Sequence, residues 1–210
     1  MNNLANATRP AGREWHSQPW ATFLLRSLFQ NEEFCREFIN RSADHMNSTF
    51  LPEVVTAEID RLEVLMEPEM EEHIHRWNKP AWNLHSWKLQ NNMLRIFASF
   101  RPDVNRRHIR QYFNLTGDYQ ITLNTDYEQG YIKINSLNIT YDTPGVIDAN
   151  SWSGSYFKGV PITLTAVAHP GYEFLSWIGV PEDIKFHSSI TITPDAPVEI
   201  TAVFKQLIDK

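Results

Sequence analysis

Residues 18–51 read QPWATFLLRSLFQNEEFCREFINRSADHMNSTFL, and the fold is read outward from them. The stretch fits two helices joined by a tight turn. Pro19 suits the first turn of a helix, where its missing N–H is not needed. Phe23, Leu24 and Leu28 fall on one face of the first helix. Asn31 is placed to cap the second, and Glu32 and Glu33 put carboxylates at its positive end. Phe34, Phe38 and Met46 recur at multiples of four along one stripe. Such a hairpin cannot bury both apolar faces alone, so neighbouring chain has to pack on it.

On the N-terminal side, residues 1–17 carry no periodic signal. They read as an extended lead-in that packs Trp15 against the body, and they lack the apolar core of a signal peptide. On the C-terminal side, Pro52 opens a third helix, with Val55, Ile59, Leu62 and Met66 on one stripe. Pro68 is expected to bend or restart it. A further helix spans roughly 82–100, with Met93, Phe97 and Phe100 marking its core side. Pro102 opens the last, with Asp103 near its start and Arg106, Arg107 and Arg110 toward its end, a charge order that suits the dipole.

At Thr116-Gly117 the period changes from near 3.6 to 2. Ile121 and Leu123 alternate with polar neighbours, as do Ile132 and Ile134. In VPITLTAVAHP, Ile162, Leu164, Ala166 and Ala168 share one face. Short alternating runs between Gly, Pro and Asp turns predict a small all-β domain. The expected fold is therefore α+β in two segregated domains: an all-α helical bundle over 1–115 and an all-β domain over 116–210.

Composition is that of a soluble globular protein, with 42% hydrophobic and 21% charged residues among 210. No apolar run is long enough for a membrane span. Charge is distributed unevenly. Residues 1–115 hold 14 Lys and Arg and 14 Asp and Glu, whereas 116–210 hold 5 and 11, with no arginine. An acidic half without arginine does not suit nucleic acid, whose phosphates need clustered cations. The lone cysteine, Cys35, excludes an internal disulfide.

Candidate sites are few. His73 and His75, with His16, His85 and nearby glutamates, suggest a metal, but positions two apart on a helix point in opposite directions. No metal is expected. Trp77, Trp82 and Trp87 read as core wedges between helices. Cys35 reads as an inert thiol, and Asp126, Glu128 and Gly130 as a hairpin turn. Arg106, Arg107 and Arg110 form a basic cluster suited to the helix dipole and to contacts with the acidic half or a partner. Trp152, in a loop SWSGS, is the exposed aromatic candidate for partner contact.

Two longer patterns are familiar. WHSQPWATFLLRSLFQNEEFCREFINRSADHMNSTF, PEVVTAEIDRLEVLMEPEMEEHIHRW and FASFRPDVNRRHIRQYFNL, in that order, resemble the C-terminal part of the CotH family, the kinase-like spore-coat proteins. YFKGVPITLTAVAHPGYEFLSWIG, closed by ITPDAPVEITAVF, resembles a bacterial surface repeat of the internalin-B B-repeat type.

The first resemblance implies the helical end of a kinase-like lobe. ATP and magnesium are implied only for the full-length family, whose acidic metal-binding segments lie upstream of the matched part. This chain shows no Gly-rich phosphate loop, no V-A-I-K lysine and no H-R-D loop, so neither catalytic nor cofactor-binding residues are expected in it. The implied partners are upstream kinase-like segments of the same parent, with a surface protein or glycan for the β part. The implied location is secreted or on a bacterial cell envelope. The expected function is a C-terminal fragment of a CotH-like protein, inert by itself. The alternative is a non-enzymatic surface binding or spacer module acting through the β domain.

Overall fold

The computed structural model describes residues 2–12, 15 and 18–207. Helices α1 (Asn3–Ala7), α2 (Pro19–Leu28), α3 (Glu32–Met46), α4 (Pro52–Trp77) and α5 (Leu84–Phe113) come first. Eight strands follow: β1 (Asp118–Asn124), β2 (Gly130–Ile134), β3 (Leu137–Asn138), β4 (Ser151–Phe157), β5 (Ile162–Ala168), β6 (Tyr172–Ile178), β7 (Ser189–Ile192) and β8 (Val198–Gln206). Helix thus precedes sheet, as expected.

Local rules account for the helix ends. The Asn31 side chain accepts the Phe34 N–H at 3.0 Å, which caps α3. Asn83 and Ser86 form a reciprocal capping box at the start of α5. Asn114, at φ 54°, turns the chain out of α5 in the left-handed conformation.

Three readings are corrected here. The lead-in contains the short helix α1, and Trp15 is 75% exposed rather than buried. Pro68 and Pro102 do not divide helices: α4 runs through the first and α5 through the second. The reason is mutual support. Arg95 on α5 donates to Asp60 and Glu63 on α4, at 2.8 and 2.6 Å, and Lys88 pairs with Glu67. Beyond Pro68, Met70, Ile74, Ala81 and Trp87 form a second buried cluster. Contacts on both sides of Pro68 offset its lost backbone hydrogen bond. Among the three tryptophans read as wedges, only Trp87 is buried; Trp82 is 91% exposed and Trp77 also faces solvent.

The strands form two four-stranded sheets, ordered β4-β1-β8-β6 and β3-β2-β5-β7. All pairings are antiparallel except β1 with β8. Inward residues of both sheets, among them Ile121, Leu123, Ile200, Ile134, Ile162 and Leu164, belong to one buried cluster, so the sheets are the layers of a sandwich. The turn at Asp126 is not a hairpin: β1 and β2 lie in different sheets, and the turn carries the chain between layers.

The elements segregate along the chain, but the core does not. Ile39, Ala43 and Met46 of α3, and Ile109 of α5, lie in the same cluster as the sandwich interior. Helix α3 packs on β4, an edge strand.

Candidate functional site

The seam between α3, α5 and β4 holds most of the buried polar side chains. Asn40, Asp44 and Asn47 stand at i, i+4 and i+7, one stripe beside the apolar stripe Ile39, Ala43 and Met46. Both stripes are buried.

Each polar residue of the stripe meets the sandwich. The Asn40 amide donates to the Pro161 carbonyl at 2.7 Å. One oxygen of Asp44 accepts from the Ser136 N–H and hydroxyl, at 2.9 and 2.6 Å. The other accepts from the Tyr156 phenol at 2.7 Å. Burial nevertheless holds the Asp44 carboxyl above the ordinary carboxylate range, and its hydrogen bonds only partly offset this. The Tyr156 phenol is pushed well up by burial and by the Asp44 charge.

Asn47 pairs with the backbone of β4 as a strand would. Its amide donates to the Ser155 carbonyl at 2.9 Å, and its oxygen accepts the Ser155 N–H at 3.0 Å. The unpaired edge of β4 is thereby covered. Arg106 completes the seam. It donates to the Ser155 carbonyl at 2.8 Å and to the Asn47 oxygen at 2.7 Å, and lies over the Phe157 ring. Desolvation lowers its pKa, while the nearby Asp118 charge acts against the shift.

The sequence-derived candidates are placed as follows. Arg106 is 9% exposed and contacts the β half of its own chain. Arg110 pairs with Asp118, where β1 starts. Arg107 is exposed. Trp152 is corrected: it lies on β4, 5% exposed, in the sandwich core rather than in an open loop. The Cys35 thiol donates to the Phe29 carbonyl, and burial with the Glu32 charge raises its pKa, which keeps it a thiol. His16 lies outside the described residues, and among those described no three His, Cys, Asp or Glu converge as metal ligands.

A different surface stands out on the helices. Trp20, Phe23 and Leu24 on α2, Val64 and Leu65 on α4, and Met93 and Phe97 on α5 are each more than half exposed. These include Phe23 and Leu24, expected on an apolar face that neighbouring chain covers, and Met93 and Phe97, expected on a core side. Large apolar groups thus stand at the surface of three helices. Among the described residues, no helix is long and apolar enough to cross a membrane.

Fold and seam together define a chain of two parts, a helical unit fastened to the edge of a β-sandwich. Residues 1–104 match the family of the CotH kinase protein, and residues 135–207 match the divergent InlB B-repeat domain. Both resemblances hold, in the expected order. Comparison with curated proteins and with solved structures gave no match. Residues 105–134 fall between the two matches, and they supply Arg106, Ile109, β1 and β2. Strands β1 and β2 are interior to their sheets. The connecting stretch is thus built into both layers of the sandwich.

Proposed function

We propose that this chain is the C-terminal part of a CotH-like, kinase-like bacterial surface protein. In this reading α2, α4 and α5 complete a kinase-like lobe, and the sandwich is an appended surface repeat. ATP and magnesium are handled by upstream segments, which dock on the apolar helical face. The observation that carries the reading is that face, which lies within the stretch matching the CotH kinase protein. Burying it stabilises association at about 25 cal/mol per Å² of apolar surface.

Two measurements test it. Calorimetric titration of the chain with ATP and magnesium is expected to show no binding. Micromolar binding, worth about 8 kcal/mol, overturns the division of labour. Hydrogen exchange is then compared between this chain and a longer product of the same reading frame. Added protection confined to α2, α4 and α5 is expected, and unchanged exchange there overturns the docking.

The second reading, a binding or spacer module without phosphoryl transfer, draws support from the B-repeat match. It predicts that the longer product also fails to bind ATP. A surface protein or glycan would then be held by the sandwich, and secretion to the envelope is common to both readings.

A further inference from the structure

A cavity of about 520 Å³ opens between α1, α2, α3 and α5. Its volume is in the range of small-molecule sites. Leu4, Leu25, Phe38, Met46 and Ile109 give it an apolar lining. Two helical faces supply the polar groups: Arg41 and His45 at i and i+4 on α3, and Arg101 and His108 at i and i+7 on α5.

The charge of this lining is one-sided. Among the described residues no Asp or Glu lines the cavity, although the chain carries a net charge of −6. Arg41 is shared with Glu37 at 3.0 Å on the exposed side. Arg101 has no carboxylate partner among the described residues and lies over the Phe97 ring at 5.4 Å. Desolvation first, then the charges of Arg101 and Arg107, lower the pKa of His108. The field at this wall is therefore positive. Apolar walls under a cationic rim complement a molecule with an apolar body and one anionic end.

We infer that this cavity binds a small amphipathic carboxylate, its alkyl chain on Met46 and Ile109 and its carboxylate at Arg101, with Arg41 adding charge. The inference is independent of the kinase-like reading. It uses the cavity between the helices, not the open faces of α2 and α4.

The test is solution NMR and calorimetry on this chain with decanoate, decanol and decyltrimethylammonium, each below its micellar concentration. Decanoate is expected to bind at least tenfold more tightly than decanol, and the cation to be weakest. Alkyl protons of decanoate are expected to show Overhauser contacts to the Met46 and Ile109 methyl groups. Arg101→Gln is expected to cut decanoate affinity about tenfold and leave decanol unchanged, with an unaltered melting curve. Leu25→Trp, which fills the cavity from α2, is expected to remove the contacts for both ligands. Equal affinity for decanoate and decanol overturns the inference. So do contacts confined to the exposed α2 and α4 side chains, indifference to Arg101→Gln, or absence of binding.

Discussion

Asp44 and Tyr156 meet at 2.7 Å, carboxylate to phenol, across 112 residues of sequence. Both are buried, and each comes from a different half of the chain. The Tyr156 phenol has no access to water once the seam closes, so Asp44 is what satisfies it, whereas Ser136 lies at the exposed margin. Asp44→Ala should leave the buried phenol without an acceptor and cost about 2 kcal/mol. Asp44→Asn keeps an oxygen for Tyr156 and should cost less than half as much. Urea denaturation of the two variants, followed at constant m-value, checks the order.

The same carboxyl predicts a pH dependence. Its pKa is raised in the folded state by burial. The folded state then binds a proton more tightly than the unfolded chain does. Stability from this group is fully present below the ordinary carboxylate pKa. It is lost as pH rises through the raised folded value. Wild-type stability measured against Asp44→Asn should therefore decline as pH rises above the ordinary carboxylate range. A difference that is flat, or that grows with pH, would show that the seam favours the ionised form.

Gly154 lies beneath the indole of Trp152 on β4. A Cβ at position 154 would run into the ring, and the ring is held in the core with 5% exposure. Gly154→Ala is expected to cost about 2 kcal/mol through overpacking. Trp152→Ala is expected to cost about 4 kcal/mol through the cavity it leaves. The double variant should cost less than the sum, because the alanine no longer meets an indole. Thermal unfolding of the three variants measures this directly.

These effects also mark where the sequence was readable. The Asn31 cap and the strands around Ile121, Ile132 and Ile162 follow from local pattern alone, because caps and period-2 burial are local physics. SWSGS, with three serines in five residues, looks like a loop. Yet Trp152, Gly154 and Tyr156 alternate inward with Ser151 and Ser153 outward. That alternation was the available signal. The stripe Asn40, Asp44 and Asn47 gave no such clue. Polar residues at helical spacing normally face water, and only the closure of β4 onto α3 makes them a core. The prolines misled for a related reason: local breakage was outweighed by long-range pairing through Arg95 and Trp87.

The exposed helical face gives the last prediction. Phe97 and Leu65 are 59% and 66% exposed, so neither contributes much buried area to this chain. Glutamate at both positions should change its unfolding free energy by no more than about 0.5 kcal/mol each. The same pair should lower binding of an apolar dye and reduce light scattering on concentration, because two exposed apolar side chains have been replaced by charges. In a longer product containing upstream segments, two glutamates would instead be forced into an apolar contact without partners, at a cost of several kcal/mol. A large loss of stability in the short chain would mean that these side chains already pack on it. Neutrality in both lengths would mean that the face stays open in the parent.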